Sequence, residues 1–172
     1  NDLKYEGNFL AIRMEGSKKS IEERKNDLFQ ELELKKKKFS ELDFYQSVLF
    51  WKKINNLELF NSSKNSIIRI VIPPSKCLEL INFFDDDFKY FIEWCGSLIW
   101  AEVCNLSDDK LSNIRKFVVE RGGYLTLIKQ TSNQLLNEIF TYTNTRLHIS
   151  KKIKESFDPK RILNPEKMYI GV

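Results

Sequence analysis

Residues 66–72, Ser-Ile-Ile-Arg-Ile-Val-Ile, constrain this chain more than any other segment. The run is dominated by β-branched side chains, which are stiff at χ1 and pack well on a pleated surface, so it reads as a strand. Pro73-Pro74 follow at once, ending the strand and presetting the first turn of a helix over residues 75–84. The fold therefore contains a strand that hands directly to a helix.

The segments after it repeat that alternation. Residues 88–94 and 98–104 read as a hairpin around Cys95-Gly96-Ser97, where the glycine permits a tight turn; Tyr90, Ile92 and Trp94 share one face of its first arm. Ser107 and Asp108 cap a helix carrying Leu111, Ile114, Phe117 and Val118, which Gly122 stops in a left-handed conformation, and residues 124–129 form the last strand. From Ser66 onward the order is β-α-β-β-α-β. That is the ferredoxin-like split βαβ pattern, an α+β class with an antiparallel sheet and helices packed on one face.

Around this pattern lie further elements. Residues 8–15 alternate, with Leu10, Ile12 and Met14 on one face, and read as a strand. A helix follows from Ser17 or Ser20 up to Leu34, with capping-box spacing at Ser20-Ile21-Glu22-Glu23. Residues 38–42 suggest a short strand, and residues 44–59 a helix with Phe50, Trp51, Ile54 and Leu57 along one side. Residues 147–157 form a final helix, and the tail 157–172, with two prolines and apolar Ile162, Leu163 and Met168, is expected to dock on something.

Composition bounds the class. The 172 residues are 42% hydrophobic and 13% aromatic, enough for one domain whose core buries roughly 70% of the unfolded surface. No apolar run approaches the ~20 residues needed to span a bilayer, so direct membrane insertion is not expected. Cys77, Cys95 and Cys104 are odd in number and lack C-x-x-C spacing, which points to reduced thiols in a cytoplasmic protein and to no metal site. The net charge of +4 is a mixed surface, and the Lys35 to Lys38 run reads as solvated. Arg121-Gly122-Gly123-Tyr124 on this topology raises an RNA-binding reading, but Leu125, Leu127 and Ile128 do not supply the spaced strand aromatics that RNA modules use, so no nucleic-acid partner is expected.

Four side chains carry candidate chemistry. Arg69 interrupts the apolar strand and needs a partner; it is either a planar, bidentate clamp for a carboxylate or an outward-facing residue paired with a neighbouring acid. Lys129 ends the last strand and reads as solvated. His148 is the single histidine, and no metal is assigned to it. Asn164, before Pro165, either caps a turn or offers a donor and an acceptor to a ligand. Trp51, Trp94 and Trp100 line either a ligand-facing wall or the core.

Several segments, in order, resemble one family. They are Arg13-Met14-Glu15-Gly16-Ser17, Phe50-Trp51, Ile68-Arg69-Ile70-Val71-Ile72-Pro73-Pro74, Trp94-Cys95-Gly96-Ser97-Leu98-Ile99-Trp100 and Arg121-Gly122-Gly123-Tyr124-Leu125-Thr126-Leu127-Ile128, closed by Phe157-Asp158-Pro159-Lys160-Arg161-Ile162-Leu163-Asn164-Pro165-Glu166-Lys167-Met168. Together they resemble the C-terminal cap domain of the FAD-binding subunit of bacterial glycolate oxidase, in the FAD-linked oxidase superfamily that includes vanillyl-alcohol oxidase. Glu166 stands where the family has glycine.

The resemblance implies a C-terminal domain of the FAD-linked oxidase type, with the FAD-binding domain upstream of this chain. It implies the substrate-side domain of an FAD-dependent 2-hydroxy acid oxidoreductase, or alternatively an assembly domain that holds a catalytic flavin subunit to an iron-sulfur subunit. On that reading Arg69 is the substrate-side or flavin-side cation, and Asn164 and Lys167 contact the flavin or its domain. FAD is held through the upstream domain and not tightly by this chain. The expected partners are that domain, the catalytic flavoprotein subunit and the iron-sulfur subunit, with a cytoplasmic location and any attachment to the inner membrane made through those subunits. The sibling catalytic subunit resembles enzymes with paired histidines here, a pair that His148 cannot supply.

Overall fold

The computed structural model describes residues 8–33, 39–60, 64–130 and 139–165, which fall in two compact units, Asn1–Asn56 and Leu57–Val172. The Lys35 to Lys38 run, Glu166 and Lys167 lie outside the described residues.

The first unit is helical. Ser17 is the N-cap of α1 (Lys18–Glu31), its side chain accepting from the Ser20 backbone N–H at 3.4 Å, so the helix begins at the earlier of the two expected serines. α2 (Phe44–Asn55) opens on a capping box that the sequence reading missed: Asp43 Oδ1 accepts from the Gln46 N–H at 2.9 Å while Gln46 Oε1 accepts from the Asp43 N–H at 3.0 Å. Its signal is D-x-x-Q before an apolar run. The helix stops at the Asn56 C-cap, short of residue 59, and Leu57 enters the left-handed region with φ 57°. Lys25 pairs with Glu41 at 3.1 Å and Phe29 packs on Phe39 at 4.8 Å, clasping α1 to the segment that leads into α2.

Two expected strands do not form. Residues 8–15 are irregular and Phe9, Leu10 and Ile12 are exposed. Residues 39–42 are likewise without strand pairing. Alternation makes a strand only where a neighbouring strand supplies hydrogen bonds and a surface to bury against, and among the described residues neither segment joins a strand ladder.

The second unit is the α+β sandwich anticipated from residue 66 onward. Its strands are β1 (Ser66–Val71), β2 (Phe88–Glu93), β3 (Leu98–Val103) and β4 (Tyr124–Lys129), antiparallel throughout in the order β2-β3-β1-β4. Ile68 lies between Ala101 and Leu127, and Ile70 between Ile99 and Leu125; none of Ile68, Ile70, Ile99 or Leu125 is accessible to solvent. Cys77 and Leu80 of α3 (Cys77–Phe83) and Leu111, Ile114 and Val118 of α4 (Asp108–Glu120) close over that face in one continuous core. Each buried aliphatic side chain contributes about 1.5–3 kcal/mol.

The connections follow from local chemistry. After β1 a 3-10 turn, Pro74–Lys76, precedes α3, so the α-helix proper begins two residues beyond the expected start at 75. α4 is capped by Ser107, which accepts from the Lys110 N–H at 3.2 Å, and Asp108 and Asp109 complement the positive end of its dipole. Gly122, at φ 76°, stops that helix as expected. Gly123 is needed for space: a Cβ there would meet the Val71 carbonyl oxygen at 2.5 Å.

Beyond β4, residues 139–141 cover its outer edge, with the Leu127 N–H donating to Ile139 O at 2.8 Å and the Thr141 N–H to Leu125 O at 3.0 Å. α5 (Asn144–Phe157) starts three residues before the expected 147, because Thr143 accepts from the Arg146 N–H and caps it there. Among the described residues no helix is long and apolar enough to cross a membrane.

Candidate functional site

Strand alternation that buries Ile68 and Ile70 turns Arg69 to the other face of the sheet. The register then lines up Phe91, Trp100, Arg69 and Thr126 as one row across all four strands, with Arg69 directly opposite Trp100. Phe60 packs on Phe91 at 5.3 Å, and Lys89 Nζ donates to Leu59 O, so residues 59 and 60 cover the β2 end of this row. Arg69 is half-buried in the row's middle.

Trp94 joins the cluster from the turn between β2 and β3. Trp94 and Cys95 both have φ 51°, and Gly96 follows at φ 95°. The sequence reading assigned this turn to the glycine alone and put Trp94 on the face of Tyr90 and Ile92. Instead the first two turn residues are left-handed as well, which costs of order 1–3 kcal/mol for each non-glycine residue. The result is that Trp94 leaves the strand direction and lies beside Arg69.

The Arg69 guanidinium carbon stands 5.5 Å from the Trp94 ring centroid and 5.8 Å from that of Trp100. Each such contact is worth about 0.5–1 kcal/mol where exposed and ~2 kcal/mol where water is excluded. Glu93, one residue before Trp94, accepts at its Oε2 a hydrogen bond from the Trp100 indole N–H at 3.0 Å. Among the described residues Arg69 makes no ion pair, so of its two sequence readings the acid-paired one is not what is seen. A permanently charged, planar group with walls of low polarity and uncommitted N–H donors is suited to an oxyanion presented edge-on.

The other candidates fall elsewhere. Lys129 closes β4 opposite Ile67, where the register shifts. His148 is exposed on α5, and among the described residues no group of three metal-ligating side chains converges. Trp51 is half-buried in α2 of the first unit, edge-on to Phe50 at 5.1 Å. Asn164 is exposed with φ 45°, in the turn that Asp158 organises after α5.

Asp158 itself is a structural centre that sequence reasoning passed over. It is buried, pairs with Lys154 Nζ at 2.7 Å, and accepts from the Ile162 N–H at 3.0 Å and the Leu163 N–H at 2.9 Å. The Lys154 ammonium first, and then those two backbone donors, hold its carboxyl down to about 2. The D-P-x-x-I-L pattern could have revealed it, since Asp before Pro commonly binds backbone N–H groups a few residues on.

Compared with protein-family models, curated proteins and solved structures, the chain matches none.

Proposed function

We propose that this chain is the C-terminal, substrate-side domain of an FAD-dependent 2-hydroxy acid oxidoreductase subunit of the glycolate oxidase type. One observation carries the reading. Two of the segments on which the resemblance rests, residues 68–74 and 94–100, meet on one sheet face, where Arg69 lies against Trp94 and Trp100. The split βαβ order of the second unit agrees with the domain type.

On this reading Arg69 holds the carboxylate of the acid or a flavin-side anion, and the two indoles flank the guanidinium. Asn164 and Lys167 contact the flavin or its domain. FAD, when bound, accepts the electrons of the hydroxy acid. The chain has six glycines and a single adjacent pair, so a glycine-rich pyrophosphate cradle is left to an upstream domain. The partners are that domain, a catalytic flavoprotein subunit and an iron-sulfur subunit, in the cytoplasm or at the inner membrane through them.

A second reading is an assembly domain that holds a flavin subunit to its iron-sulfur partner. Exposed apolar side chains favour it: Phe157, Ile162 and Leu163 around the tail, and Phe44, Tyr45, Val48 and Leu49 on α2.

The native protein, captured from its source cells with an antibody to this domain, separates the two. Extractable FAD together with glycolate- or lactate-dependent dye reduction supports the first reading. Co-capture of a flavin subunit and an iron-sulfur subunit, with no flavin on this polypeptide, overturns it in favour of the second.

A further inference from the structure

The two tryptophans beside Arg69 are held very differently. Trp100 sits within β3, its indole N–H fixed by Glu93. Trp94 is 62% exposed and reaches Arg69 only because Trp94 and Cys95 are both left-handed. A large aromatic side chain left in water, on a backbone conformation that side chains disfavour, is a combination that packing alone does not explain.

We propose that Trp94 is a positioning residue for a monocarboxylate bound by Arg69. The β2–β3 turn holds the indole against the guanidinium, restricting it so that its N–H edge faces outward to a carboxylate. This inference rests on the reading of Arg69 as the carboxylate-side cation, but the binding it describes requires no flavin.

The test is an NMR titration of the full chain that follows the tryptophan indole N–H resonances with sodium glycolate, with sodium chloride at matched ionic strength, and with uncharged methyl glycolate. Saturable shifts of the Trp94 and Trp100 signals with glycolate alone are expected. Arg69→Lys, which keeps the charge but loses the planar fork, weakens binding about tenfold. Trp94→Ala, followed through the Trp100 signal, weakens it by about the same factor, whereas Trp94→Phe stays within about threefold because a flat aromatic wall remains. Circular dichroism confirms that each variant folds.

Equal shifts with chloride or methyl glycolate, or a Trp94→Ala variant that binds as the wild type does, would overturn the proposal. Its failure is distinct from that of the oxidase reading. Saturable glycolate binding by a native protein without flavin, weakened in Trp94→Ala, supports the Trp94 role and sinks the oxidase. A native flavoprotein reduced by glycolate, whose Trp94→Ala variant keeps the same KM, sinks the Trp94 role alone.

Discussion

Lys154 and Asp158 stand one helical turn apart at the end of α5, joined at 2.7 Å, and between them they tie the tail back onto the helix. The lysine ammonium also donates to the Leu163 carbonyl, while the carboxylate collects the N–H groups of Ile162 and Leu163. An irregular turn after Pro159 thereby has the N–H groups of Ile162 and Leu163 and the carbonyl of Leu163 satisfied without regular secondary structure.

Asp158→Ala should release that turn and leave α5 intact. Amide exchange at Ile162 and Leu163 is expected to accelerate and proteolysis between residues 159 and 163 to increase, with helix content unchanged. Unaltered exchange at both amides would contradict this account of the tail.

The same carboxylate sets a pH dependence. Its folded value, about 2, lies below the ordinary 3.8, so its contribution is complete above the ordinary value and is lost as pH falls from there through about 2. Protection of Ile162 and Leu163 should therefore decline over that acid window in the wild type. In Asp158→Asn the decline should vanish, a difference that exchange measured across the window would reveal.

Adjacent glycines should respond to alanine for different reasons. Gly122 has open space around it but φ 76°, so Gly122→Ala is expected to cost about 1–2 kcal/mol of backbone strain. At Gly123 the new Cβ would meet Val71 O at 2.5 Å and Val118 Cγ1 at 2.8 Å, between β1 and α4. Overpacking of about 1–3 kcal/mol, or more if the backbone cannot give, is expected there. Denaturant midpoints of the two variants test the order.

In the core, Ile70→Ala should cost about 2–5 kcal/mol, because the side chain is wholly buried between Ile99 and Leu125. Leu78→Ala, on the exposed side of α3, should change stability by less than ~0.5 kcal/mol. Comparable losses at the two sites would mean that the sheet and helix layers are not arranged as described.

The second unit was legible because its signals are redundant. Ile68 and Ile70 alternate with Arg69, Pro73-Pro74 stop β1, Ser107 caps α4 and Gly122 ends it, so local signals mark the end of β1 and both ends of α4. The segments at 8–15 and 39–42 were misread because alternation is a local signal, whereas a strand needs a partner that local sequence cannot supply. Arg69 and Trp100 could be placed on one face by parity alone. Trp94 could not, since its position depends on two left-handed residues that neither its type nor that of Cys95 favours. The Asp158 turn is written in the sequence as D-P-x-x-I-L, where the prolines signal a turn but not which backbone N–H groups the carboxylate collects.

The most direct measurement is the visible spectrum of the native protein before and after anaerobic addition of glycolate, for the wild type and for Arg69→Met. The account predicts flavin bands that bleach with glycolate in the wild type and that bleach only at far higher glycolate concentration in the variant. A protein without flavin bands, or a variant that bleaches as readily as the wild type, would contradict it.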